Sequence, residues 1–232
     1  MQIEGSIALV TGANRGIGRA FARGLVERGA RVYAAARRPE LVDVEGVTPL
    51  RLDITDPDAV AEAARIAADT TLLVNNAGIS GTTRLVSGPL DEVHRELDTH
   101  LFGTLSMVRA FAPVLAANGG GAILNVLSAL SWFAIDGANG YHVAKAAEWA
   151  MTNGVRLELA SQGTLVTGLH LGAADTDMMA GYQGPKLAPE EVVRAALDGI
   201  ERGAIEVLAD DWSQHVKSAV NDPATFYATQ LG

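Results

Sequence analysis

Short apolar, β-branched runs alternate along the chain with longer stretches of helical period. Ile7 to Val10 has the continuous apolar pattern of a buried strand, and Ile17, Ala20, Phe21 and Leu25 then recur on one helical face. Gly29 predicts the end of that helix, and further strands are expected at Arg31 to Ala35, Leu50 to Leu52 and Leu72 to Val74. Asp56-Pro57 reads as a helix start, with proline at the first helical position. From Pro89 a long helix carries Leu90, Val93, Leu97, Leu101, Leu105, Val108 and Leu115 along one side, closed by Gly119-Gly120-Gly121. A strand at Ala122 to Val126, a helix through Tyr141 to Ala160, a strand at Leu165 to Leu169, a helix from Pro189 and a strand at Ile205 to Leu208 complete the pattern. Such alternation demands parallel pairing through right-handed crossovers. The expected fold is a doubly wound α/β domain spanning 1–232, with no linker or repeat.

Composition narrows the function. With 232 residues and 48% hydrophobic content, the chain can bury a sizeable core. Its formal net charge of −9 argues against nucleic acid or an anionic membrane as a partner. The absence of cysteine removes disulfides, thiolate catalysis and Cys-based metal sites, and the five histidines show no metal-ligand spacing, so no metal is expected. The segment Met1-Gln2-Ile3-Glu4-Gly5 has neither the basic nor the apolar region of a signal peptide, and no run approaches 18 apolar residues. The expectation is a soluble cytoplasmic protein that holds any phosphate ligand by local geometry.

That geometry has a candidate in Thr11-Gly12-Ala13-Asn14-Arg15-Gly16-Ile17-Gly18, set between the first strand and the first helix. Gly12 permits a sharp turn, Gly16 lets backbone approach a pyrophosphate, and Gly18 lets the helix lie close on the strand. The helix N-terminus adds unpaired N–H groups and the positive end of a dipole. A second constellation is Tyr141 and Lys145, four residues apart and so on one helical face. An ammonium beside a phenol favours the phenolate and is expected to lower its pKa, which suits Tyr141 to general acid–base work. Ser128, at the end of a strand, is placed to hydrogen-bond a substrate oxygen as negative charge develops there.

These residues recur in an ordered set: Gly12-x3-Gly16-x-Gly18, Asp53-Ile54, Asn75-Asn76-Ala77-Gly78, Ser128, Tyr141-x3-Lys145, and Gly172 with Thr176. In that order and spacing the chain resembles a classical short-chain dehydrogenase/reductase over essentially its whole length. The resemblance implies a Rossmann fold with a mainly parallel seven-stranded sheet, helices on both faces, and a nicotinamide cofactor. It implies that Asp53 and the Ile54 backbone hold the adenine, that Asn75, Ala77 and Gly78 line the adenine-ribose side, and that Gly172, Ala174 and Thr176 lie toward the carboxamide. Lys145 would also hold the nicotinamide ribose. A homodimer or homotetramer is implied too.

Three details refine the expectation. The second strand ends in Ala35-Ala36-Arg37-Arg38, where NAD enzymes usually carry an acid. Arg37 and Arg15 stand where NADP-preferring relatives carry basic residues, so NADP(H) is favoured over NAD(H), unless these arginines are only solvated loop charges. His100 occupies the place where the family usually has an asparagine. It either leaves the backbone geometry intact, relays protons itself, or impairs activity. Leu130, Trp132 and Phe133, with Met178, Met179 and Tyr182, are expected to wall a largely apolar pocket for a small ketone or alcohol, and 177–189 reads as a lid. The leading expectation is an NADP-dependent carbonyl reductase or alcohol dehydrogenase. The alternative is a catalytically silent NADP-binding regulatory or scaffold protein of the same fold.

Overall fold

Seven parallel strands form one sheet in the order β3-β2-β1-β4-β5-β6-β7. They are β1 Ile7–Thr11, β2 Arg31–Ala36, β3 Val47–Arg51, β4 Leu72–Asn75, β5 Ala122–Val126, β6 Leu165–His170 and β7 Glu206–Leu208. The structure, a computed structural model, describes residues 1–231, so Gly232 of the expected domain lies outside the described residues. Eight α-helices surround the sheet: α1 Gly16–Glu27, α2 Pro57–Ile66, α3 Leu90–Leu97, α4 Thr104–Ala117, α5 Asn139–Glu158, α6 Pro189–Glu201, α7 Asp211–Ala219 and α8 Pro223–Leu231.

Strand period explains how the two faces are filled. Ala8 and Val10 of β1 enter one buried cluster with Phe21, Leu25, Val192 and Leu197, from α1 and α6. Leu9, between them, enters the other with Leu73, Met107, Phe111, Leu115 and Ile123. The central strands are therefore apolar on both faces, as a parallel sheet covered by helices requires.

Two elements differ from the expectation. β3 spans Val47–Arg51 rather than the expected Leu50 to Leu52, and so includes Pro49. Proline is tolerated because β3 pairs only with β2, at the sheet edge. The long helix expected from Pro89 is interrupted: Asp98–Gly103 forms a π-helical turn between α3 and α4. Such a turn inserts a residue into the helical register and is frequent at functional sites. The whole helical run Leu90–Ala117 is long and apolar enough, by length and composition alone, to cross a membrane, contrary to the expectation that no run would be. Its apolar residues Met107, Val108, Phe111 and Leu115 are buried in the sheet-facing core, which accounts for the composition.

The topology also fixes where a ligand fits. The strands run parallel throughout, but the order in which they are added reverses between β1 and β4, and the carboxyl ends of the strands at that switch point are where a doubly wound sheet binds its ligand.

Candidate active site

The glycine turn follows β1 with the expected conformations. Gly12 and Gly16 have φ of +69° and +54°, in the left-handed region where side chains are strained. A Cβ on Gly18 would overlap the carbonyl oxygen of Gly12 and the amide of Asn76, so only glycine lets α1 sit this close. Thr11, which the motif reading left without a role, clamps the turn to the loop after β4. Its hydroxyl oxygen accepts the N–H groups of Asn76 at 2.9 Å and Ala77 at 3.0 Å, while the Asn76 amide donates to the Thr11 carbonyl at 2.9 Å. The far wall comes from the segment after β6: a Cβ on Gly16 would lie 3.2 Å from Thr176 Cγ2. Gly172 donates its N–H to Asp210 at 2.7 Å, and Ala174 is buried in the core cluster beneath.

The adenosine side is more open. Arg37 is exposed just past β2, and Arg15 is exposed at the start of α1, with a 3.7 Å ion pair to Asp177. Asp53 is half-buried. Burial alone would raise its pKa, but the Thr55 N–H at 3.0 Å, the Thr55 hydroxyl at 2.8 Å and the charge of Arg37 outweigh that and hold it below the usual carboxylate range. Arg37 thus acts electrostatically on the residue expected to face the adenine. Ile54 is buried against Gly103 of the π turn. The Asn75 side chain is buried and donates to Asn125 at 2.9 Å, and Asn125 donates to Thr152. The Asn75 amide nitrogen thereby braces β4 against β5, while its side-chain oxygen is buried without a hydrogen-bond partner.

Ser128, Tyr141, Lys145 and His100 converge at the carboxyl ends of β4 and β5. Ser128 faces the Tyr141 phenol and favours its ionised form, and the Ser128 hydroxyl oxygen accepts the Leu130 N–H at 3.1 Å. Lys145 Nζ lies 5.8 Å from the Tyr141 ring centre and donates to the Val126 carbonyl at 2.8 Å and to Glu148 at 2.7 Å. In the ligand-free protein burial pushes the Tyr141 pKa up, and the acid of Glu148 works in the same direction, against the lowering effects of Lys145 and Ser128. Lys145 itself stays charged: burial opposes the ammonium, but Glu148 and Tyr141 more than compensate.

His100 stands in the π turn with its ring edge-on to Tyr141, 5.4 Å between centres. It is buried over Gly78, where a Cβ would come within 2.6 Å of the imidazole. Its Nε2 lies 2.7 Å from the Ile79 carbonyl and 3.3 Å from the Ile79 N–H, so the Ile79 backbone holds the ring in either tautomer. Burial and Lys145 hold its pKa well below the usual imidazole value, so the ring is neutral.

On the presumed substrate side, Leu130 and Met179 are half-buried, and Met178 and Tyr182 are exposed. Trp132 stacks on His170 at 3.8 Å, and His170 Nδ1 is 3.0 Å from the Ser128 carbonyl. Phe133 corrects an expectation: it is buried with Val216 and meets Trp212 and Phe226 edge-on, so it is core packing. Among the described residues no His/Asp/Glu group is arranged to hold a metal. Sequence reasoning missed Thr11, Asp210, His170 and Glu148. Only Glu148 carried a readable signal, its i,i+3 spacing from Lys145.

A glycine-lined helix N-terminus at the switch point of a parallel sheet defines a nucleotide-binding α/β protein. A family profile described as short chain dehydrogenase matches residues 6–185. An uncharacterized oxidoreductase of Myxococcus xanthus is 32% identical over 216 residues, covering 86% of this chain and 85% of its own. One from Staphylococcus aureus strain MW2 is 31% identical over 205 residues, covering 82% and 89%. A crystal structure of a short chain dehydrogenase from Burkholderia cenocepacia J2315 in complex with NADP is 40% identical, covers 100% of both chains and superposes with a TM-score of 0.95. The chain belongs to the short-chain dehydrogenase family, and is an oxidoreductase of that type.

Proposed function

We propose that this protein is an NADP(H)-dependent oxidoreductase acting on a carbonyl or secondary alcohol of a small, largely apolar molecule, with Tyr141 as general acid and base. The observation that carries the reading is the convergence of Ser128, Tyr141 and Lys145, with the Lys145 ammonium buried, charged and 5.8 Å from the Tyr141 ring centre. The glycine turn fits a dinucleotide, since Gly12, Gly16 and Gly18 leave room for backbone to approach it and α1 presents its N-terminus there.

Arg15 and Arg37 support NADP(H) over NAD(H). Both are free to turn toward a 2′-phosphate, because Arg15's ion pair to Asp177 is exposed and weak. The NADP found in the Burkholderia relative agrees with that choice. The nicotinamide, when bound, supplies or accepts the hydride. Tyr141 gives its phenolic proton to the carbonyl oxygen in reduction, or takes one from the hydroxyl in oxidation. Ser128 donates to the same oxygen, and Lys145 holds the phenol's electrostatic environment and the ribose hydroxyls. Residues 1–232 work as one domain in the cytoplasm, as a homodimer or homotetramer, with 177–189 covering the substrate.

The test is nicotinamide absorbance with NADPH and with NADH against a panel of ketones, and with the oxidised cofactors against the matching alcohols. NADPH consumption that disappears in Tyr141→Phe supports the reading. Cofactor binding without turnover of any panel member points instead to the silent regulatory protein.

A further inference from the structure

The carboxylate of Glu148 has no part in the mechanism above, yet it lies at its centre. It is 2% exposed and sits one helical turn beyond Lys145 on α5. Oε2 accepts from Lys145 Nζ at 2.7 Å, and Oε1 accepts from the Thr104 hydroxyl of α4 at 3.2 Å. From the π turn, Nδ1 of neutral His100 faces Oε2 at 3.9 Å, too far for a hydrogen bond. Glu96 of α3 is also buried, against Gly81 and Gly140, and acts on Tyr141 electrostatically. The charged or titratable groups around the phenol are therefore Lys145, Glu148 and the edge-on His142 on its own helix, Glu96 from α3 and His100 from the π turn. Ser128 alone meets it from the β5 side.

Burying an ion pair is costly and rarely improves on apolar packing, so its value here lies in placement. Lys145 Nζ is fixed from two sides, by a backbone carbonyl and by Glu148. Without the acid, the ammonium keeps the Val126 carbonyl and stays near the phenol, but it is no longer aimed at the ribose site from its second side. The same carboxylate offsets the ammonium's charge as Tyr141 senses it.

Resting on the proposed reaction, we infer that Glu148 is a positioning residue, which locks the Lys145 ammonium in place and tempers its effect on Tyr141. The ligand-free protein tests this without turnover. Tyrosinate absorbance is titrated in the wild type and in Glu148→Gln, each against the corresponding Tyr141→Phe protein, so that only Tyr141 is read. Removing the negative charge lowers the Tyr141 titration point by about one pH unit or more, since phenolate and ammonium attract once the acid is gone. In turnover, kcat falls about 10-fold to 100-fold through misplacement of Lys145, and the alkaline limb of alcohol oxidation shifts downward with the titration.

A titration point that is unchanged or raised, with kcat falling only as thermal stability falls, makes Glu148 a packing residue and overturns the inference. If Glu148→Gln does not fold, Glu148→Asp carries the test. It keeps the charge but shortens the reach, so kcat falls while the titration point stays with the wild type. An unchanged kcat there overturns the inference. If the wild type turns over nothing on the panel, the reaction assignment fails, while the titration still decides what Glu148 does to Tyr141.

Discussion

The two rims of the crevice handle charge in opposite ways. On the nucleotide rim, binding geometry is made by backbone: two glycines at positive φ, a third with no room for a side chain, and a helix N-terminus. The charged groups there, Arg15 and Arg37, stand in water. On the catalytic rim the charged and polar groups are inside, with Lys145 and Glu148 at 6% and 2% side-chain exposure and His100 neutral beside them. An exposed arginine can be exchanged with little effect on its neighbours, because water screens it. A buried ionisable group depends on every partner, because none can be removed without stranding another. Selectivity between cofactors is therefore an adjustable surface property, whereas the catalytic rim changes only as a unit.

The largest expected effect tests the catalytic rim directly. Tyr141→Phe keeps cofactor affinity in a binding titration but lowers kcat by about 10²–10⁴-fold, because it deletes the proton donor and little else. Wild-type turnover in that variant would break the assignment. Next comes acid sensitivity beneath Ser128. His170, buried under Trp132, is held at a pKa of about 4, chiefly by burial. The unfolded chain takes up its imidazole proton near pH 6.5, and the folded chain only near 4. Stability is therefore full above pH 6.5 and is lost as pH falls toward 4, by up to about 3 kcal/mol from this group. Melting temperatures between pH 7 and 4 should fall less steeply in His170→Gln than in the wild type.

On the nucleotide rim, Arg37→Ala should weaken NADPH by about 1.5–3 kcal/mol, as for a charge-assisted hydrogen bond, and NADH far less. Because this arginine is exposed, the NADPH preference should shrink with added salt, while the Tyr141→Phe defect stays as large. Equal losses for the two cofactors would erase the contrast between the rims. The smallest effect is expected at His100. A neutral ring tied to the Ile79 backbone is a tolerated occupant of the π turn, so His100→Asn should change kcat by less than about tenfold and leave the pH profile in place. A large gain in that variant would mean that the native histidine impairs catalysis.

Local rules carried the sequence reading a long way. The Ala122–Val126 strand and the start of α6 at Pro189 are observed as expected, because an apolar β-branched run and a proline at a helix start both act within a few residues. The roles of Gly12 and Gly18 were legible for the same reason. What escaped depended on partners distant in the chain. Asn75 reads as a ligand-facing turn residue, and nothing local announces Asn125, fifty positions later, which takes up its amide. Phe133 looked like a pocket wall because its partners lie in α7 and α8, which the pattern did not announce. The π turn was invisible to periodicity, since one inserted residue barely disturbs the apolar stripe on either side.

The clamp between Thr11 and the loop after β4 bears on the order in which the molecule assembles. The glycine turn is made before β4, and the N–H groups that grip the Thr11 hydroxyl belong to residues 65 and 66 positions later. Between them the chain must complete β2, β3 and α2 before β4 can pair with β1, a long-range closure of the kind that slows folding. Until that pairing forms, the turn has no opposite wall. The nucleotide site is thus completed only when β4 has joined the sheet, although its most recognisable residues precede β4 in the chain, and a nascent chain that stops before β4 lacks the wall that faces the glycine turn.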